Sequence, residues 1–199
     1  MRTGQKRCTD FHEHAGPPHS TTLGSLTRME LNIRRLGVAD ASALVTLRRE
    51  ALEAEPLAFG ASPADDVGLV VESVRGFLGD HETQAVFGQF DGADPVGMIG
   101  LVKATKVKQR HKATIWGMYV TPGARNKGVG RALLEAAIRH ARGWRLDQLQ
   151  LSVTEAAPTA RRLYEAAGFR LWGREPRALH WNGRYVDEYH LVLHFGESA

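Results

Sequence analysis

From Leu31 onward the chain switches repeatedly between two hydrophobic periods. "LNIRRL" alternates apolar and polar residues, which predicts a strand. "ADASALVTLRREALEAE" places Leu44, Leu47, Ala51 and Leu52 on one face at helical spacing, and Pro56 limits that helix. "DDVGLVVESVRGFL" predicts a second, shorter helix, weakened by Gly68 and Gly76. "QAVFGQF" and "VGMIGLVKATKV" flank the turn signal "DGADP" and predict a hairpin, and "KATIWGMYV" predicts a further strand. "GRALLEAAIRHARG" is rich in Ala and Leu at helical spacing and ends near Gly143. "LDQLQLSV" reads as a strand. "PTARRLYEAAG" reads as a helix with Pro158 in its first turn and Gly168 as its C-cap. "FRLWG" and "YVDEYHLVLHF" are the last strands, and Asn182-Gly183 between them suits a tight type I′ hairpin. The predicted order is β-α-α-β-β-β-α-β-α-β-β, a single mixed α/β domain.

Residues 1–28 lack such periodicity. They are polar, with Pro17-Pro18 and a Ser/Thr cluster, and are expected to be a disordered leader to a domain spanning 29–197. "MELNIRRL" reads like a fresh start. His12, His14 and His19 are better read as tail residues than as metal ligands, and no metal is expected. Deleting the leader is expected to leave folding and cofactor affinity nearly intact, because it has little apolar area to bury.

Composition narrows the class. Hydrophobic residues make up 43% of 199, enough for a substantial core. Lys and Arg total 26 against 22 Asp and Glu, a net +4 that is spread along the chain. That suits an anionic cofactor and lacks the basic stripe of a nucleic-acid binder. Cys8 is the single cysteine, so no disulfide can form within the chain. There is no apolar run of 18 residues. The expectation is a soluble, cytoplasmic protein without nucleic-acid or membrane partners. Homodimer formation is left open.

The stretch "RNKGVG", residues 125–130, lies between an apolar strand and a helix. Gly128 and Gly130 allow a tight turn and close backbone approach to a ligand. The helix start beyond them offers unpaired N–H groups and a favourable dipole to an anion. Arg125, Lys127 and Arg131 add charge. A dinucleotide-binding domain would place its glycine loop after the first strand, and a P-loop would read GxxxxGK[ST]; "GARNKGVG" fits neither.

"YVTPGARNKGVGRALLEAAI" resembles the acyl-coenzyme A signature of the GNAT superfamily of N-acetyltransferases, with Arg125, Gly128 and Gly130 matching its core Arg/Gln-x-x-Gly-x-Gly/Ala. "ARRLYEAAGF" resembles the family's second signature, "GRYVDEYHLVL" its final strand, and "REALEAEPLAFGAS" its first helix and loop. The likeness covers roughly residues 30–195. It implies a single-domain GNAT-like fold, a mixed, mostly antiparallel sheet flanked by helices. It also implies acetyl-CoA as cosubstrate and transfer of its acetyl group to a primary amine by direct attack on the thioester. The acceptor would be a small molecule or a protein N-terminus. One position departs from the pattern: the family often has Asn where this chain has Ala157. That keeps open a second reading, an acyl-CoA-binding module that does not turn its ligand over.

The resemblance places the diphosphate on the N–H groups of residues 126–131, that is Asn126, Lys127, Gly128, Val129, Gly130 and Arg131. The pantetheine arm would lie beside Met118, Tyr119 and Val120 as an added strand, with the Tyr119 N–H as a candidate oxyanion donor. Tyr164 would protonate or hydrogen-bond the leaving thiolate; the plain alternative is a tyrosine that packs against the sheet. Strand alternation puts Asp187 among Tyr185, Tyr189, Leu191 and Leu193. An acid there needs a partner, either a substrate ammonium it could deprotonate or an Arg or Lys. Glu82, His111, His180 and a water chain are weaker candidates for the base. Alternation also places Trp116 and Met118 on one strand face and Tyr119 on the other.

Overall fold

The computed structural model describes residues 31–196 together with Met1. The expected leader, and the point at which the domain ends, lie outside these residues. Seven strands and four helices follow in the predicted order: β1 (Ile33–Arg35), α1 (Ala41–Ala54), α2 (Val71–Gly79), β2 (Gln84–Asp91), β3 (Asp94–Lys103), β4 (Lys112–Val120), α3 (Val129–Gly143), β5 (Gln148–Thr154), α4 (Pro158–Ala166), β6 (Arg170–Trp181) and β7 (Arg184–His194). The strands form one sheet in the order β1-β2-β3-β4-β5-β7-β6. Every neighbouring pair is antiparallel except β4 with β5.

Apolar periodicity sets the layers. The stripe of α3 (Val129, Leu133, Leu134, Ala137 and Ala141) is buried on one sheet face with Ile99, Leu101, Ile115, Leu149 and Leu191. The stripe of α1 (Leu44, Leu47 and Ala51) and Val74 and Leu78 of α2 cover the other face with Val86, Met98 and Tyr119. Gly97 of β3 lets the start of α3 sit close to the sheet, since a Cβ there would meet Leu133 and Val129 at 3.1 Å.

β4 and β5 hold that end open. They pair only at Lys112, Ala113 and Thr114 with Gln148, Leu149 and Gln150. Beyond these positions residues 115–120 of β4 part from β5 and leave a notch in the sheet. Just there, β4 carries a bulge. Gly117 has φ +64°, and the register with β3 jumps from Gly100↔Trp116 to Met98↔Tyr119. The extra residue reverses the alternation after Trp116. Trp116 and Tyr119 therefore pack on the α1 side and Met118 on the α3 side, which corrects the pairing of Trp116 with Met118 expected from strict alternation.

Trp116 lies flat over Gly100, where a Cβ would come within 2.1 Å of its ring. Gly100→Ala is expected to expel the indole and cost about 3 kcal/mol, the upper part of the usual overpacking range. Chemical denaturation followed by tryptophan fluorescence checks this, and unchanged stability would contradict the packing.

Two elements differ from expectation. The helix expected across 65–78 is divided: a 3-10 turn (Val67–Leu69) precedes α2, because the Asp66 carboxylate accepts the Gly68 N–H and Val70 is extended. β6 continues well beyond "FRLWG" to Trp181, with an irregularity between Glu175 and Leu179. The β6–β7 turn matches the expected hairpin, with Asn182 at φ +48° and Gly183 at φ +76°.

Candidate active site

The notch leads into a cleft of about 600 Å³. Met118, Tyr119 and Val120 form one wall, residues 156–160 and Leu163 of the α4 start another, and the loop before α3 forms the floor. That loop is built from unusual backbone: Asn126 has φ +60° and Gly128 φ +82°. α3 then starts with no capping side chain and no acid in its first turn. Its first amides therefore lack a side-chain cap and an acidic neighbour.

The three cations of the loop act differently. Arg125 ties the loop down: its Nε donates to the Val120 carbonyl at 3.0 Å and its Nη2 to Glu55 at 2.9 Å. Arg131 pairs along the helix with Glu135 at 2.9 Å. Lys127 makes no ion pair among the described residues, but Arg125 and Arg131, not Lys127, line the cleft.

Tyr119 is buried, and its hydroxyl donates to Glu50 at 2.9 Å. Burial first, and then the Glu50 carboxylate, push this phenol up to about 12. Tyr164 sits behind the cleft wall, with Ala160 and Leu163 of the same helix facing the cavity. Its ring meets Phe169 edge-on at 6.0 Å, and its hydroxyl makes no hydrogen bond within the described residues. Burial raises this phenol well above its ordinary value. It therefore keeps its proton and serves better as a hydrogen-bond donor than as a strong acid.

Asp187 has its partners within the protein. It accepts the Arg177 backbone N–H at 2.7 Å and the Arg174 Nε at 2.6 Å. The Arg177 N–H first, and also the Arg174 guanidinium, hold its carboxyl below the usual range. Of the two partners foreseen for this acid, an arginine is present, and the carboxylate straps the irregular stretch of β6. Neither Glu82, His111 nor His180 lines the cleft; His180 stacks on Tyr185 at 4.2 Å beside the hairpin.

The neighbouring acid was missed. Glu188 lies on the α1-side face of β7, directly across from Thr154 at the end of β5. The Thr154 hydroxyl is buried without a hydrogen-bond partner among the described residues. Burial raises the Glu188 carboxyl, and nearby Glu175 adds to the rise while His190 opposes it. The signal was the same alternation that singled out Asp187, read one residue over.

Arg48 was missed as well. It stands four residues from both Leu44 and Leu52, so it breaks a buried stripe of α1, and that interruption was the available signal. Its Nε and Nη2 donate to Asp66 at 2.9 and 2.5 Å, with both side chains largely buried.

No group of three or more His, Cys, Asp or Glu that could hold a metal occurs among the described residues, and no described helix is long and apolar enough to cross a membrane.

Comparison with known proteins agrees with this architecture. The chain is 35% identical over 109 residues to a mycothiol acetyltransferase of Thermobispora bispora, which covers 54% of this chain and 32% of that protein. It is 29% identical over 100 residues to the L-amino acid N-acetyltransferase AaaT of Escherichia coli, covering 50% of this chain and 61% of that protein. The chain thus spans less than two thirds of each relative. A GNAT-family acetyltransferase structure from Streptococcus pneumoniae superposes with a TM-score of 0.75 at 26% identity, covering 83% of this chain and all of that one. A phosphinothricin acetyltransferase from Sinorhizobium meliloti in complex with acetyl-CoA has the same fold, with a TM-score of 0.74 at 20% identity over 85% of this chain and 90% of that one. Residues 45–169, more than half of the sequence, match the acetyltransferase (GNAT) family, and the chain belongs to that family.

Proposed function

We propose that this protein transfers the acetyl group of acetyl-CoA to a primary amine, on a small molecule or a protein N-terminus. One observation carries the reading: an uncapped helix start with a left-handed glycine, at the mouth of a cleft that runs into parted parallel strands. The cleft fits the cosubstrate. Open amides and the Arg125 and Arg131 guanidiniums suit a diphosphate, and the β4 backbone beside Met118, Tyr119 and Val120 suits a pantetheine amide. Two relatives named as acetyltransferases support the same chemistry.

In this reading the amine nitrogen attacks the thioester carbonyl, and a β4 amide facing the notch, that of Met118 or Val120, meets the developing oxyanion; the Tyr119 N–H expected for this task points, with that of Thr121, toward β3 instead. The C–S bond then breaks, and the leaving thiolate carries the electron pair away while accepting a hydrogen bond from Tyr164, which keeps its proton. The ammonium proton leaves through a base. Asp187, held low by the Arg177 backbone N–H and the Arg174 guanidinium, is poorly suited to that task. Glu188, like Asp187 outside the residues that line the cleft, is half-buried across from Thr154 at the end of β5 with a raised pKa, and suits it better.

The sign of the pH dependence follows. Glu188 must be ionised to act, so kcat should rise with pH through an inflection above the ordinary carboxylate range. Glu188→Gln is expected to flatten that limb, and a profile identical to wild type would exclude Glu188 as the base.

Ala157 supports a second reading, binding without turnover. It leaves no side-chain amide at the α4 start, where its own N–H is taken by the Thr154 carbonyl at 3.1 Å. Free-thiol release from acetyl-CoA across an amine panel, beside a binding titration, separates the two. Acceptor-dependent release supports the enzyme, and binding without release supports the module.

A further inference from the structure

A second cavity of about 340 Å³ lies on the α1 side of the sheet. Its walls are Leu44 of α1, Val74 and Phe77 of α2, Met98 of β3 and Trp116 of β4, with Arg48 and Asp66 as its charged pair. That volume falls at the small end of the roughly 300–1,000 Å³ range of small-molecule sites, which are mostly apolar with a few placed polar groups. Trp116 and Phe77 hold the wall edge-to-face at 5.0 Å.

The cavity adjoins the reaction centre. Trp116 immediately precedes the Gly117 bulge, and Met118, next along β4, already lines the cofactor cleft. Phe59 also lines that cleft, and its ring centroid stands 4.7 Å from the Arg48 guanidinium carbon. Arg48 and Phe59 therefore stand between the two spaces. Nη1 of Arg48 lies 4.0 Å from where a Cβ on Gly117 would be, is buried, and has no hydrogen-bond partner among the described residues. Asp66 engages only Nε and Nη2. A buried donor without an acceptor is rare in folded proteins and calls for an explanation. An arriving carboxylate oxygen would supply one, because a guanidinium can serve two carboxylates from different edges.

We propose that this cavity is the acceptor site and that it takes a free α-amino carboxylate with an apolar side chain. The side chain lies against Trp116, Phe77 and Met98. The carboxylate takes Nη1 of Arg48, displacing the edge of the Phe59 ring. The amine on the same carbon is thereby held at Gly117, facing the cleft. The proposal rests on the acetyl-transfer reading for what happens to the amine, but not for the binding itself.

The test uses the full chain with CoA present and titrates L-phenylalanine, 2-phenylethylamine and glycine calorimetrically, with thiol release from acetyl-CoA measured in parallel. L-phenylalanine is expected to bind about tenfold or more tightly than either truncated ligand, since one lacks the carboxylate and the other the apolar body. Arg48→Met/Asp66→Asn, which removes the pair together, should erase the advantage over 2-phenylethylamine. Val67→Trp at the exposed rim should block L-phenylalanine with little risk to folding; acetyl-CoA affinity and melting curves serve as controls. Equal binding of the three ligands, no binding of any, or an L-phenylalanine affinity untouched by Val67→Trp would overturn the proposal. Selective binding without thiol release would support the site and overturn the acetyl-transfer reading.

Discussion

Gly130→Ala is expected to weaken acetyl-CoA binding by about tenfold or more, roughly 1.4 kcal/mol, while leaving the melting temperature unchanged or slightly higher. The split comes from what surrounds this position. A Cβ on Gly130 would meet Leu163 and Met118 at 3.4 Å, ordinary contact that the protein accommodates. Inside a helix, alanine is favoured over glycine by about 0.5–1 kcal/mol, which acts in the opposite direction to any crowding. The ligand has no such tolerance, because its phosphates must approach the backbone itself. Gly128→Ala makes an informative partner. Nothing lies within 4 Å of its Cβ position, but φ is +82°, and a left-handed alanine costs about 1–2 kcal/mol. That variant should lose both stability and affinity. Calorimetric titration of each, with melts alongside, checks the pair. Unchanged affinity in Gly130→Ala would place the cofactor elsewhere.

Tyr164→Phe is expected to lower kcat and kcat/KM together by about tenfold to a hundredfold, with acetyl-CoA affinity little changed. The phenyl ring keeps the packing on Phe169, so the change isolates a hydroxyl that has no hydrogen-bond partner among the described residues. General acid help is worth up to about 10,000-fold, but a phenol raised by burial gives up its proton reluctantly and a thiolate leaves easily. The expected loss therefore sits at the low end. Single-turnover rates are the appropriate readout, because slow product release would mask a chemical effect. Full activity of Tyr164→Phe at every pH would leave Tyr164 as a core ring behind the cleft wall.

Local signals made much of this fold legible. α3 and α4 announce themselves by apolar spacing, and Gly128 by its place just before a helix. Asn182-Gly183 specifies its hairpin through the backbone angles those residues tolerate. What escaped was set by tertiary geometry. The Gly117 bulge has no local marker beyond one glycine in a strand, yet it reverses the alternation and carries Tyr119 to the α1 side. The long reach of β6 depends on pairing with β7 despite a sequence, "REPRALHW", that looks like a loop. Asp187 drew notice as an acid among aromatics, but its pairing with Arg174 spans two strands and could only be guessed at. Arg48 and Asp66 are separated by 17 intervening residues, so the pair and the cavity beside it emerge only once α1 and α2 are packed on the sheet.

The most direct test of acetyl transfer is a product balance on one sample: free CoA thiol and acetylated amine, measured together by mass spectrometry for the best acceptor of the panel. One acetylated amine for each thiol released is the predicted result, with both falling in Gly130→Ala. Tight acetyl-CoA binding with no acceptor-dependent thiol, or thiol released without acetylated amine, would contradict it.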